Sequence, residues 1–350
     1  MEAHSGEIPR VSVAIPAYNS ECYIERAIES VLDQTDSSLE LIVVDDASKD
    51  GTVDRIKCIS DPRLTLIEHA ENTWPGFGLN QALQRAQGEW FAFLDGDDWY
   101  VPDRLERLLG YAERFDVDMI ADNILFKDKV AGPDGCAEEF RSAGTLFTRA
   151  MEKTLPRMLS AEEFVLGNKP GPRNPCMGLV KPIFRRSFLE QNGLRFYEDE
   201  LFNGDTCFFL RCLAAGARML IVPEIGYNYR RHSAGITRSA ERLYFHGEQA
   251  KRNRLLLEEH RDSGQGIISA LEVRQRAIER AEKFERTKKR LENGELGVVL
   301  RSPQDIPSYL SYSVEARAVY LRNRFRGARA KVRRLLNGKR RTTPVVASGD

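Results

Sequence analysis

No run of eighteen apolar residues occurs in this 350-residue chain, so the sequence offers no helix of the length and apolarity that a membrane span requires. Residues Met1 to Arg10 lack the apolar stretch of a secretory signal, which predicts a chain that stays in the cytoplasm. Cysteine is scarce: Cys22, Cys58, Cys136, Cys176, Cys207 and Cys212 include no C-x-x-C pair, so reduced structural thiols are expected rather than a zinc site or a disulfide framework. Net charge is missing as well, with 52 Lys plus Arg against 52 Asp plus Glu. That zero hides an asymmetry. Residues 316 to 341 carry 11 basic and no acidic side chains, leaving residues 1 to 315 with 41 basic against 51 acidic.

What is present is enough apolar side chain, 42%, to build about two domains from a chain of this length. The first hundred residues alternate short apolar runs with amphipathic stretches. Val11 to Ile15, Leu41 to Val44, Leu64 to Ile67 and Phe91 to Leu94 are too short for helices and read as buried strands, the first closed by Pro16. Between them Ile24, Ala27, Ile28, Val31 and Leu32, then Val53 and Ile56, then Leu79, Ala82, Leu83 and Ala86 recur at helical spacing. Leu105, Leu108, Leu109 and Ala112 follow on a helix opened by Pro102. Strand alternating with helix predicts an α/β fold, a mostly parallel sheet covered on both faces.

In such sheets ligands sit beyond the carboxyl ends of the strands. The segments there hold neither G-x-G-x-x-G nor G-x-x-x-x-G-K-S/T, which excludes the usual dinucleotide enzymes and P-loop NTPases. They hold carboxylates. Asp95-Gly96-Asp97-Asp98 follows a fully apolar strand, and three acids at the edge of a low-dielectric core repel one another unless a cation or solvent intervenes. Two readings stay open on spacing alone: a Mg2+ or Mn2+ site completed by a substrate's phosphates, or a solvated turn leading into the next helix. Asp45-Asp46 ends the second strand, where an acid accepts from a nucleoside's donors, while Ser48 and Asp50 read as turn and cap residues.

Three stretches carry a resemblance. Val11-Ser12-Val13-Ala14-Ile15-Pro16-Ala17-Tyr18-Asn19, then Leu41-Ile42-Val43-Val44-Asp45-Asp46-Ala47-Ser48 with Asp50-Gly51-Thr52, then Gly88 to Asp98 with Pro102 resemble the family 2 glycosyltransferases of GT-A fold, in order and at family spacing as far as about Thr237. Bacterial enzymes that build exopolysaccharides such as succinoglycan on a lipid carrier are the most similar in character. The resemblance implies an inverting, metal-dependent transfer of sugar from a UDP-sugar to a lipid-linked saccharide. It places Pro16 and Tyr18 along the uracil and ribose, Asp46 on the uracil N–H, Asp95 on the ribose or sugar, and the divalent metal on Asp97, helped by Asp98. As a lone Asp before a helix Asp205 reads first as a cap; only the resemblance of Phe196 to Thr206 to the acceptor-side segment that ends in the catalytic base makes it the base. Tyr229-Arg230-Arg231-His232 resembles the late motif over the pyrophosphate, with Arg230 and Arg231 as donor-site cations and His232 as a pyrophosphate or metal contact.

Three positions depart from the family pattern. The usual Glu before the base is Gly204, and within Asn72 to Asn80 the family's Gly is Trp74 and its Arg is Leu79. Of the tryptophans, Trp74 and Trp90 read as core, and Trp99, beside the acids, as the one placed to stack on an acceptor sugar. Residues 126 to 180 read as irregular, broken by Gly132-Pro133-Asp134-Gly135 and Lys169 to Pro175, and Arg173 with Asn174 are acceptor-binding candidates there.

The expected organisation is a catalytic domain over 1–240, nucleotide-sugar-binding over 11–125 and acceptor-binding over 126–240. A helical extension follows over 241–341, with 342–350 disordered. In the extension Leu271, Ile278, Ala281 and Phe284 form a sparse apolar stripe. Across 316–341, Leu321, Phe325, Ala328, Val332 and Leu335 share a face opposite the basic residues, which reads as a helix on an anionic membrane surface or packed on the acidic body. A peripheral position on the inner face of the cytoplasmic membrane follows, with no nucleic-acid partner, since no aromatic platform accompanies the charge. The rival functions are a sugar-nucleotide pyrophosphorylase, which would need a basic glycine loop after the first strand, and a nucleotide-sugar-binding protein without turnover.

Overall fold

The computed structural model describes residues 8–131, 138–170, 176–199, 204–231 and 242–295. Its N-terminal half follows the alternation in the sequence: β1 (Val11–Ala17), α1 (Ile24–Leu32), β2 (Leu39–Asp45), α2 (Thr52–Lys57), β3 (Leu64–Glu68), α3 (Pro75–Arg85) and β4 (Trp90–Phe93). Then come β5 (Trp99–Tyr100), α4 (Arg104–Arg114), β6 (Met119–Ala131), β7 (Glu138–Thr145), α5 (Arg149–Glu152), β8 (Arg157–Leu159), α6 (Ala161–Gly167), a 3-10 turn (Met177–Leu179), β9 (Ile183–Arg185), α7 (Arg186–Gln191), α8 (Gly204–Ala214) and β10 (Met219–Arg231). Two further helices, Arg242–Glu259 and Gln265–Glu292, complete the order.

One sheet runs β3-β2-β1-β4-β9-β6-β10-β5, with β7 beside β6 and β8 beside β10. β1, β2, β3 and β4 are parallel, as are β6 and β10. β9 lies antiparallel to both β4 and β6, so those two point the same way and six strands share one direction. The chain moves outward from β1 through β2 to β3 and then returns to β4 on the other side of β1. That reversal opens a crevice at the carboxyl ends of β1, β2 and β4, the place where open α/β sheets bind ligands.

Pro16 does not end the first strand, as its residue type suggests; β1 continues to Ala17. The ladder to β4 stops opposite Ala14, so on that side the missing N–H has no ladder bond to lose. The middle of the chain is also more regular than its composition suggests. β6 and β7 pair antiparallel from Leu125↔Thr145 to Ala131↔Glu138, on either side of the Gly-Pro-Asp-Gly segment. The apolar residues of β6 are split by Asp122-Asn123 and by Lys127-Asp128-Lys129, and β7 is mostly charged or small, which hides these strands from a reading by hydrophobicity.

The core follows from apolar faces that must meet. Ile24, Ala27, Ile28 and Val31 of α1 and Leu105, Leu108, Leu109 and Ala112 of α4 are buried. In the second half the core is aromatic: Phe196 stacks on Phe208 at 3.8 Å, Phe93 meets Phe196 edge-on at 5.7 Å, and Phe184 packs on Phe208 and Phe209 at 5.3 and 5.8 Å. This cluster ties β4, β9 and α8 together beneath the crevice. Residues 8–169 and 176–275 form one compact unit, and 276–295 fall to a second. The compact body therefore reaches into the last helix, with Leu256, Ile267, Ala270 and Leu271 in its core. Cys22, Cys58, Cys176, Cys207 and Cys212 are free thiols, the last two buried. Among the described residues no helix is long and apolar enough to cross a membrane. The basic segment 316–341 lies outside the described residues.

Candidate active site

The crevice is shaped first by backbone bonds between loops. Asp46 N–H donates to Ala17 O at 2.8 Å, and Asn19 N–H to Ser48 Oγ at 2.9 Å, so the ends of β1 and β2 are joined. Asp50 accepts from Thr52 N–H and Glu21 N–H at 3.1 Å each, a capping role. The Asp46 carboxylate then gathers the segment after β3. Its Oδ1 accepts from Thr73 N–H and Thr73 Oγ, both at 2.8 Å, and lies 2.9 Å from His69 Nδ1; its Oδ2 accepts from Trp74 N–H at 2.9 Å. Burial alone would raise the pKa of Asp46, but the bonds from His69, Thr73 and Trp74 hold it below the ordinary carboxylate value. One oxygen with a single partner is what remains for a ligand's N–H.

Trp74 corrects the expectation from composition. It is 46% exposed and stands at φ +72°, a left-handed conformation that costs a residue with a Cβ of order 1–3 kcal/mol and is kept only where surroundings enforce it. The bond from its N–H to Asp46 is such an enforcement. With Tyr18, 49% exposed beyond β1, it offers the crevice a second open aromatic face, while Trp90 and Trp99 are buried. The ring of Trp99 is taken up by packing: the Arg26 guanidinium lies 3.7 Å above it and Phe140 4.9 Å away, so it presents no face to a sugar. Leu79, at the position of the family's Arg, is buried in the core.

The acids after β4 separate into different environments. Asp98 is 1% exposed and faces inward; its Oδ2 accepts from Tyr227 O–H and its Oδ1 from Arg230 N–H, both at 2.7 Å. Burial, with the neighbouring charges of Asp97 and Asp95, pushes its pKa well above the carboxylate range. With each oxygen bonded to the protein and the carboxyl turned inward, Asp98 braces the loop. Asp97 is partly exposed, and its carbonyl accepts from Arg230 Nε at 2.6 Å. The Arg230 guanidinium is boxed by Tyr23 at 4.4 Å and Phe140 at 4.7 Å, and Arg231 is paired with Asp128 at 2.6 Å.

Asp95 and Asp205 are brought together. Asp205 lies in the first turn of α8, and its Oδ2 accepts from Lys181 Nζ at 2.6 Å; the same Nζ lies 2.9 Å from Asp95 Oδ2. Burial at the crevice floor pushes the Asp95 carboxyl up, Lys181 pulls it back, and Asp205 and Asp97 push it up again. Burial would lower the pKa of Lys181, and the two carboxylates more than reverse that, so its ammonium stays charged. The position of α8 depends on Gly178: a Cβ there would stand 1.9 Å from Thr206 Oγ1, so only glycine lets the Met177–Leu179 turn approach this close. Asn80 fixes the other end of the acceptor-side segment, accepting from Phe196 N–H at 2.8 Å and donating to Phe196 O at 3.0 Å.

Sequence reasoning misses Lys181, Arg104 and Asp122. The one signal for Lys181 is a lone cation inside the apolar run from Met177 to Phe184. His232, Arg173 and Asn174 lie outside the described residues. The oxygens still able to face a cation decide whether a divalent metal suits the site. Asp98 faces inward and Asp95 Oδ2 meets Lys181, whereas Asp97 is partly exposed at the mouth, and among the described residues no three His, Cys, Asp or Glu converge as a preformed cage. A single carboxylate completed by a ligand's phosphates and water is a set that Mg2+ and Mn2+ accept.

A switch-point crevice walled by acids, with no phosphate loop in the sequence, is the arrangement that the resemblance to GT-A folds predicts. The family model of glycosyl transferase family 2 matches residues 12–177 of the chain. It is 36% identical over 232 residues to the succinoglycan biosynthesis protein ExoO of Rhizobium meliloti, covering 66% of this chain and 64% of that protein. It is 33% identical over 221 residues to ExoU of the same organism, covering 62% and 60%. The chain thus matches less than two thirds of the length of either relative. Among solved structures, S. aureus TarS 1-349 in complex with UDP-GlcNAc aligns with a TM-score of 0.58 at 20% identity, over 87% of this chain and 79% of that one. The mannosyltransferase PcManGT from Pyrobaculum calidifontis, in complex with GDP-Man and Mn2+, aligns with a TM-score of 0.51 at 20% identity, over 91% and 88%. At those identities the two structures establish the fold.

Proposed function

We propose that this protein is an inverting glycosyltransferase that moves a sugar from a UDP-sugar to a lipid-linked saccharide in exopolysaccharide assembly, with Mn2+ or Mg2+ as cofactor. The observation that carries the reading is the meeting of Asp95, at the nucleotide end of the sheet, with Asp205, far away in sequence, across one ammonium. The names of the two Rhizobium relatives support the biosynthetic setting, and the two solved structures, one holding a UDP-sugar and one a GDP-sugar with Mn2+, support a nucleotide-sugar donor.

In this reading Tyr18 and Trp74 flank the nucleobase beside Asp46, whose Oδ2 accepts the uracil N–H, and Asp95 bonds the ribose or the sugar. The acceptor hydroxyl oxygen attacks the anomeric carbon from the face opposite the diphosphate, and its proton passes to Asp205. The bond from anomeric carbon to phosphate oxygen breaks with its electron pair going to the diphosphate, so the configuration inverts. General-base assistance of this kind contributes about 10² to 10⁴ in rate. Asp97 would hold a divalent cation, which would supply positive charge to offset the charge that builds on the leaving group. The basic segment 316–341 holds the enzyme at an anionic membrane face, each Lys or Arg near the surface contributing about 1 kcal/mol.

The test is release and transfer of sugar from a panel of UDP- and GDP-sugars, with Mn2+ or with EDTA, with and without anionic liposomes. Turnover of a UDP-sugar that needs the metal, by protein that sediments with the liposomes, is expected. Turnover that ignores EDTA, or wild-type activity in Asp97→Asn, would remove the metal from the account, and preference for GDP-sugars would remove uridine.

A further inference from the structure

Lys181 has no part in the proton transfer described for Asp205, yet its side chain is buried and held by two carboxylates. It is 4% exposed, and a buried ammonium is stable only where oxygens replace its water. Its two partners belong to different halves of the reaction: Asp95 ends the strand on the donor side, and Asp205 opens the helix on the acceptor side. The residue is fixed at both ends. Its main-chain carbonyl accepts from Arg104 Nη2 at 2.5 Å, and Arg104 is itself fully buried and paired with Asp122 at 2.9 Å. Its ammonium lies 4.8 Å from the centre of the Phe93 ring, which belongs to the aromatic core. A lysine needed only to neutralise an acid would manage at the surface, on a flexible stem; this one has a fixed carbonyl and a fixed head group.

We propose that Lys181 is a positioning residue for glycosyl transfer: by holding Oδ2 of Asp205 it presents Oδ1 to the acceptor hydroxyl, and by holding Asp95 with the same ammonium it sets that orientation from the donor side. The inference rests on the glycosyl-transfer reading. In the reaction the hydroxyl proton moves to Asp205 Oδ1, while Lys181 keeps all its protons. Without the ammonium two adjacent carboxylates repel, and Asp205 turns away from the attacking oxygen. The donor loses little, because Asp95 is one of several groups around it. The signature is therefore a fall in kcat with donor binding nearly intact, which is how loss of an interaction made chiefly in the transition state reads out.

The experiment compares full-length wild type, Lys181→Met and Lys181→Arg for kcat, donor KM and UDP affinity, with melting curves to confirm folding. Expected for Lys181→Met is a kcat lower by about 10²-fold, within the range of general-base effects, with UDP affinity within about threefold of wild type. Lys181→Arg, which keeps the charge, should recover at least about a tenth of wild-type kcat. If the Met variant does not fold, Lys181→Gln replaces it. A neutral variant with kcat within about threefold of wild type overturns the proposal. So does an equal loss of kcat and UDP affinity that Arg fails to restore, since that marks a purely structural lysine. Wild-type protein that turns over no sugar nucleotide overturns the glycosyl-transfer reading itself, before any variant is compared.

Discussion

Asp205→Asn is expected to lower kcat by about 10² to 10⁴ while UDP binds as tightly as to wild type. The reason is geometric. Asp205 sits in the first turn of α8 with one oxygen held by Lys181, so the amide variant keeps the shape and that contact but cannot take a proton. On the nucleotide side Asp95 loses one like charge across Lys181 and keeps its own contact with that ammonium. Steady-state kinetics of sugar transfer with calorimetry of UDP on the same preparation checks it. Undiminished turnover would reduce Asp205 to a helix-start residue, and the base would have to be sought elsewhere.

The second large effect concerns the fold. Arg104 is fully buried with Asp122 as its carboxylate partner, Nη2 to Oδ1 at 2.9 Å and Nε to Oδ2 at 3.0 Å. Its guanidinium also lies 4.3 Å from the Tyr100 ring centre. Asp122→Ala leaves that cation uncompensated in a low-dielectric interior, which costs about 3–5 kcal/mol. Against a typical domain stability of about 5–15 kcal/mol, that is a large share. Urea denaturation followed by far-ultraviolet circular dichroism should show a midpoint well below wild type. Replacing both partners by apolar residues of similar volume should be milder than removing one. A single variant that unfolds with wild-type protein would show that the pair carries no such cost.

How much of this is legible in the sequence depends on the kind of residue. Parallel strands are buried on both faces and therefore read as continuous apolar runs, which is why β1 through β4 and their helices follow from spacing alone. The strands β5 and β8 are short, and β7 has few apolar residues, so they leave no such mark. Asp46, Asp95 and Asp97 are legible because acids at strand ends are conspicuous without a phosphate loop. Asp98 shares that signal yet faces the interior, because one residue further along a tight turn reverses direction, and spacing does not report direction. Trp74 is misread for a similar reason: its exposure is set by a positive φ that a hydrophobicity scale does not see. Lys181, Arg104 and Asp122 are buried charges whose partners lie in other elements, so they become visible only when the chain has folded.

Soaking crystals of the protein with UDP and Mn2+ and collecting data at the manganese absorption edge tests the central claim most directly, because it locates cation and nucleotide at once. The account predicts an anomalous peak beside Asp97 next to the diphosphate, the uracil between Tyr18 and Trp74, and Asp98 still turned inward on Tyr227 and Arg230. Clear UDP density elsewhere on the protein, or acids at the mouth of the crevice surrounded by water alone, would contradict it.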